Sequence, residues 1–372
     1  WAVKPFFHPG FFPMHDDTQV ARVYEMSQAM SFGQFPVRWV QDLGYGYGYP
    51  LFNFYAPLPY YVGAAFNLLG FDALVATKIM FLLCITFAAV TMFFLLNHLV
   101  GKVGALLGSI LYMYAPYHAI DIYVRGAVGE LYAMAFLPLV LYGIYKIIYN
   151  HSIGTSSSGH FKIGAKIFLK GVFENKQAIV FGVIGFAGVL LSHNILGMIT
   201  GYFIFIGLLI YLIYLLATRK KIFVICNLLF VILLGIGLSS FFLLPAIFEK
   251  DYTRVNELVT AGSNFGNHFI YLDQLWSSPW GYAGSAPGRF DGMSFMVGKI
   301  HLLLGVLSIP MVLILINRRK IKSTHLFSQS RLVFISMLAV LIFSVFFMLE
   351  QSKFIWEILP GFAFIQYPWR FL

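Results

Sequence analysis

Uninterrupted apolar runs dominate the chain, and their length is more informative than their phase. Several windows of about 18 to 23 residues carry no charge, which is the length a helix needs to cross a hydrocarbon layer of roughly 30 Å. Spans are predicted near residues 76–97, 102–116, 131–149, 178–191, 195–217, 222–247, 302–316 and 332–349. The alternation over about ten residues expected of a membrane-spanning strand is missing, so the pattern predicts an all-α polytopic membrane protein. Two shorter elements complete it. Gln19 to Ser31 has helical patterning through Val20, Val23, Tyr24 and Met30. Pro57 to Phe71 is short and carries Pro57 and Pro59, so it is predicted to lie in the interface rather than cross.

Composition agrees with a lipid environment. Of the 372 residues, 59% are hydrophobic and 11% charged, and the mean hydropathy of +0.79 lies far outside the range of ordinary soluble domains. A formal charge of +10 could mean nucleic acid, but Lys and Arg beside apolar helices are what the positive-inside bias produces, and no nucleic-acid partner is expected. Cys84 and Cys226 each fall inside a span and say nothing about redox compartment. The opening Trp1-Ala2-Val3-Lys4-Pro5 does not read as a secretory signal. A chain running from Trp1 to Leu372 reads as a fragment of one transmembrane domain, incomplete at both ends.

Charge then orients the spans. Three connections are basic: Lys146 to Lys176, Arg219-Lys220-Lys221, and Arg318 to Arg331. These are expected to be cytoplasmic, in an inner or plasma membrane. Counting crossings places the first 55 residues, residues 117–130, the turn at Ser192-His193-Asn194 and residues 248–301 on the opposite face. Under that topology fourteen of the 25 Lys and Arg lie on the cytoplasmic side (102, 146, 162, 166, 170, 176, 219–221, 318–320, 322 and 331). Of the 15 acidic residues only Glu174 does. The domain therefore divides into a first outer segment (1–75), a cytoplasmic loop (150–176) and a large outer loop (248–301). Within the cytoplasmic loop, Thr155 to Gly159 is a flexible tract, and Lys162, Lys166 and Lys170 recur opposite Ile163, Ile167 and Phe168, as in a helix on an anionic leaflet.

The polar residues that carry chemistry gather on the outer side. His15-Asp16-Asp17-Thr18 precedes the helix at Gln19, where an Asp can cap free N–H groups or act as a general base, with Arg22 one turn on. Asp17 is expected to be the cap and Asp16 the free carboxylate. The second outer loop runs from Tyr117 to Glu130 and holds Arg125, whose planar guanidinium suits a phosphate. Glu130 either favours the start of its helix or, with Asp16 or Asp17, offers hard oxygen ligands to a divalent cation such as Mg or Mn. The large outer loop is rich in Gly, Asn and aromatics, including His268, Trp280 and Asp291, as expected of a structured lid. His193 and Asn194 belong with these as candidate substrate-loop residues.

Several of these features resemble a family. The acidic outer loop before an interfacial helix, the six-residue spacing of Asp16 and Arg22, and the loop with Arg125 and Glu130 resemble the GT-C glycosyltransferase architecture of oligosaccharyltransferase catalytic subunits and protein mannosyltransferases. Tyr123-Val124-Arg125-Gly126, Ser278-Pro279-Trp280-Gly281-Tyr282, Asp291 to Phe295 and Gln366-Tyr367-Pro368-Trp369-Arg370 are similar to a bacterial membrane-protein family designated 6-pyruvoyl-tetrahydropterin-synthase-related and grouped with GT-C proteins. The resemblance implies a GT-C-like helical bundle that transfers a sugar, with inversion, from a polyprenyl-phosphate donor to an extracytoplasmic acceptor. It implies catalytic roles for Asp16 and Asp17, donor-phosphate binding by Arg125 and Arg22, and a cation at Asp16 and Glu130. The second loop lacks the paired acids of oligosaccharyltransferases. A lipid or polysaccharide transporter or flippase is the alternative; it would carry ionisable groups inside its spans, where none is expected here. A non-catalytic membrane assembly protein is the other.

Overall fold

A computed structural model of the chain describes residues 2–154, 165–218, 222–255, 257, 263–317 and 325–372. Among the described residues every element longer than a turn is helical: α1 (Gln19–Ser31), α2 (Leu51–Phe54), α3 (Leu58–Leu68), α4 (Ala73–Met113), α5 (Pro116–Ile120), α6 (Val128–Gly154), α7 (Ala165–Glu174), α8 (Lys176–Ser192), α9 (Asn194–Ala217), α10 (Phe223–Phe248), α11 (Leu272–Trp276), α12 (Lys299–Asn317), α13 (His325–Met348) and α14 (Lys353–Ile358). The helix anticipated at Gln19–Ser31 has those limits. The eight anticipated spans coincide with helices, although that at 102–116 runs past the end of α4 into α5 and those at 222–247 and 332–349 overshoot by one residue. Among the described residues only four helical stretches are long and apolar enough to cross unaided: Ala73–Arg125, Val128–His151, Asn194–Ala217 and Phe223–Phe248. The span anticipated at 332–349 continues through a 92° bend into α14, and α8, with 17 residues, is shorter than a full crossing.

α4 is two arms rather than one rod. Its 41 residues would extend about 60 Å if straight, yet Gly101 has φ 78° and ψ 175°, outside the helical region. Gly108 lies against the side chain of Leu96, two positions that a straight helix would separate by about 18 Å. The chain therefore folds back at Gly101, and Tyr112 and Met113 pack on the same core as Met80, Phe81 and Cys84. This is the pair of spans anticipated at 76–97 and 102–116. One expectation about them fails. The first contains Lys78, in the second turn of α4, which is buried and donates to the His8 carbonyl at 2.6 Å.

α3 is about 16 Å long and too short to cross. Its buried Tyr60 and Ala64 pack with Val23 and Met26 of α1 and with Met80 of α4. α6 and α8 pack closely because both present glycines: a Cβ on Gly143 would stand 2.6 Å from the Gly182 backbone. The large outer segment is no detached flap. Its Phe265, Ile270, Leu275, Met293 and Phe295 share a core with Met348, Trp356, Phe362, Trp369 and Phe371 from the C-terminal part of the chain. The basic runs 219–221 and 318–324, and the Thr155–Gly159 tract with Lys162, lie outside the described residues.

Candidate functional site

The loops assigned by charge to one face do come together on one face. The His15 and Asp16 amides donate to the carbonyls of Val124 and Arg125, both at 2.8 Å, which joins the acidic loop before α1 to the loop after α5. The Asn194 side chain donates to the Phe54 carbonyl at 2.9 Å. Asn53 donates to Glu249 at 2.7 Å. Gly126 makes the first of these junctions possible: it adopts φ +67°, and a Cβ there would meet Met14 Sδ at 2.3 Å. The Asp121–Arg125 segment is a wide turn with i to i+5 spacing, closed by Gly126. It turns the side chains of Asp121 and Arg125 inward.

Arg125 is the centre of a buried ion cluster. Its guanidinium binds Glu130 as a fork, Nη1 to Oε2 at 2.6 Å and Nη2 to Oε1 at 2.7 Å, and Nη1 also donates to Asp121 and to the Tyr117 hydroxyl. Tyr117 donates to Glu130 Oε2 at 2.9 Å. A second cation arrives from the end of the chain: Arg370 Nε donates to Glu130 Oε1 at 3.0 Å, and its Nη1 to the Ile365 carbonyl at 2.6 Å. Two arginines thus face two carboxylates, with Glu130 1% exposed and Arg125 13%. The ring of Trp369 covers the Arg125 guanidinium at 4.6 Å. Charges this far from water persist only when each is paired, so the cluster locks the C-terminal segment onto α6.

His193 completes the cluster and shows which of its nitrogens carries the proton. Nδ1 accepts the Leu196 amide at 3.1 Å and so caps α9, leaving Nε2, 3.6 Å from Glu130 Oε1, as the protonated nitrogen. Burial, only partly offset by Glu130, brings its pKa down to about 4, so the ring is neutral near pH 7.

Asp16 stands at the edge of this cluster and is far more open. Its side chain is 41% exposed and lies 3.5 Å from Arg22 Nη1. Gln19 Nε2 approaches it at 3.4 Å while donating to the Gly126 carbonyl at 2.7 Å, and Tyr60 donates to Gln19 Oε1 at 2.7 Å. Arg22 Nη1 also donates to the Tyr55 and Tyr60 hydroxyls at 3.2 and 3.4 Å. Burial pushes both phenols above their ordinary range, so they stay protonated. Asp17 is exposed, and the expected cap does not form: the residue before α1 is Thr18, and no side chain accepts at that end. Its backbone, at φ −76° and ψ 2°, lacks the extended conformation in which caps usually reach back.

The anticipated loop residues divide. His193 joins the ion cluster, and Asn194 ties its turn to Phe54. Asp291 is a hub inside the large loop, accepting from Ser285 and the Ala286 amide at 3.0 Å each and from Gln274 at 2.9 Å. His268 Nδ1 lies 3.0 Å from Ser285 Oγ, and its ring meets the edge of Tyr367. Trp280 is exposed beside Tyr282. Gly284 of this loop lies against His15, which brings the loop over the acidic segment. A groove of about 370 Å³ lies elsewhere, between Arg38 and the end of α10.

A divalent cation does not fit the pair Asp16 and Glu130. Both Glu130 oxygens already accept from arginine and tyrosine donors, and among the described residues no three His, Cys, Asp or Glu side chains gather as a ligand set. Arg370, Tyr117, Asp121, Gln19, Tyr55 and Tyr60 were not anticipated as site residues. The signal for Arg370 was its place as a lone arginine among the aromatics of Gln366–Phe371, a stretch already similar to the family.

No curated protein and no solved structure matches the chain. One family model does, over a stretch that holds Asp121, Arg125 and Glu130 but neither Asp16 and Arg22 before it nor His193 and Arg370 after it. Over residues 52–156 the chain is similar to a membrane-protein family described as the 6-pyruvoyl-tetrahydropterin synthase related domain.

Proposed function

We propose that this membrane protein is a GT-C-like glycosyltransferase that moves a sugar from a polyprenyl-phosphate donor to an acceptor on the extracytoplasmic side of the plasma membrane, with inversion. The observation that carries the reading is the junction of the two outer loops. It holds a 41%-exposed carboxylate, Asp16, beside the Arg22 cation and next to the buried Arg125–Glu130 cluster. Inverting transfer needs those two parts: a carboxylate that takes the proton of the acceptor hydroxyl, and a cation where the phosphate leaves.

In this reading Asp16 removes the acceptor proton as the acceptor oxygen bonds to the anomeric carbon and the bond from that carbon to the donor phosphate oxygen breaks. The electron pair leaves with the phosphate, whose charge Arg22 neutralises. Arg22 makes its hydrogen bonds and its ion pair through Nη1, to two phenols and one half-open carboxylate, and its guanidinium lies over the Tyr55 ring at 4.5 Å. The N–H groups outside those bonds suit a phosphate. Arg125 is held in its fork by Glu130 and would act on the donor by supporting the Asp16 loop, reaching the phosphate itself only if that fork opened. No step runs through a metal ion.

The test is donor turnover by the full-length protein in nanodiscs, with a radiolabelled polyprenyl-phosphate sugar and both sugar release and lipid flipping measured. Turnover that Asp16→Asn abolishes supports the reading. Flipping without turnover would assign the protein to transport instead.

A further inference from the structure

The groove between Arg38 and the C-terminal end of α10 has chemistry of its own. Its walls are Phe241, Leu244, Pro245 and Phe248 of α10, and its rim carries Arg38 and Glu249. α10 is one of the stretches able to cross a membrane, and Leu244 and Phe248 are exposed on it. These apolar residues therefore face lipid rather than protein. Phe35 and Trp39, close to Arg38 in the chain, are also exposed, as aromatics at the headgroup level are.

Arg38 is the unusual member. It reaches across the groove to the Phe241 carbonyl with one long contact of 3.4 Å. Among the described residues it has no carboxylate within ion-pair distance, unlike Arg22, Arg125, Arg289 and Arg370. Glu249 shares the rim but accepts from Asn53 instead. An uncompensated guanidinium over an apolar channel on a membrane helix is complementary to an anionic headgroup with an acyl chain below it.

We infer that Arg38 and the α10 groove form a binding site for a bilayer phospholipid with a net negative headgroup. The guanidinium takes the phosphate, and the acyl chain runs along Leu244 and Phe248. The lipid is a resident of the membrane, so the inference stands independently of any sugar transfer.

The test uses full-length protein reconstituted in nanodiscs of equal phosphatidylglycerol and phosphatidylcholine, followed by native mass spectrometry of the lipids retained after extraction. Wild type should retain phosphatidylglycerol over phosphatidylcholine by about five-fold, the size of one cation's attraction to an anionic lipid surface. Arg38→Gln should bring that ratio to about one, whereas Arg289→Gln, in an exposed pair with Asp273, should leave it unchanged. Leu244→Trp fills the groove without touching charge and should lower retention of both lipids, so the site remains testable if Arg38→Gln does not fold. A wild-type preference surviving in Arg38→Gln overturns the inference. So does undecaprenyl phosphate displacing phosphatidylglycerol at one-tenth its mole fraction, which would transfer the groove to a donor lipid.

Discussion

Arg125 with Glu130 and Arg22 with Asp16 are the same chemical pair, arginine facing carboxylate, only a loop apart and in opposite states. In the first, both carboxylate oxygens are filled at 2.6 and 2.7 Å and the acid is 1% exposed. In the second, one contact of 3.5 Å joins a cation to an acid that is 41% exposed. Removing a partner from the closed pair strands a buried charge, whereas in the second pair the carboxylate is solvated and can leave its single contact at less cost, although Arg22 itself is only 16% exposed. One pair holds the loops together, and the other leaves its carboxylate open to solvent.

The widest separation between the two pairs is expected in activity. Asp16→Asn keeps the shape of the side chain and removes its basicity, so transfer should fall roughly a hundred- to ten-thousand-fold, with the thermal midpoint little changed. Wild-type turnover in this variant, measured in the nanodisc assay, would remove Asp16 from the chemistry. The closed pair should respond in the opposite sense. Arg370→Ala leaves Glu130 short of a cation and should cost about 3 to 5 kcal/mol of stability, read as a large drop in thermal midpoint. A variant as stable as wild type would mean that the C-terminal segment is held by Trp369 and Phe371 packing alone.

Acid should loosen the closed pair. His193 is held neutral in the fold, with its pKa brought down to about 4 from an ordinary 6.5. The unfolded chain therefore takes up a proton that the folded chain refuses as pH falls from about 6.5 to about 4. Stability is fully present above that window and is lost across it, by up to about 3 kcal/mol. His193→Gln removes the titrating group, and its midpoint should vary less between pH 7 and pH 4.5; an unchanged profile would trace the acid sensitivity to another group.

The smallest effects probe the junction between the pairs. Gly126→Ala places a Cβ at φ +67° against Met14 and should cost about 1 to 2 kcal/mol, with turnover falling more than stability because the Asp16 loop shifts. Asp17→Asn should change neither by much, since Asp17 neither caps α1 nor lies in the ion cluster. A dead Asp17→Asn with an active Asp16→Asn would exchange the roles of the two residues.

The sequence by itself determined what depends on local composition and length. Apolar runs long enough for lipid became helices, Gln19–Ser31 became α1, and the charge asymmetry grouped the loops around His15, Arg125, His193 and Gly284 that meet in the fold. These follow from transfer free energy and periodicity, which each segment carries alone. Only the tertiary structure decided which charges pair. Glu130 is claimed by Arg370, 240 positions away, which no local spacing encodes. Arg125 reads in the sequence as a candidate phosphate ligand because an isolated guanidinium suits a phosphate, yet burial beside Glu130 makes it a clamp. The missing cap at Asp17 and the cap supplied by His193 were decided in the same way, by backbone angles that packing sets at each helix start. Residue type states what a side chain is able to bind; the fold decides which partner reaches it first.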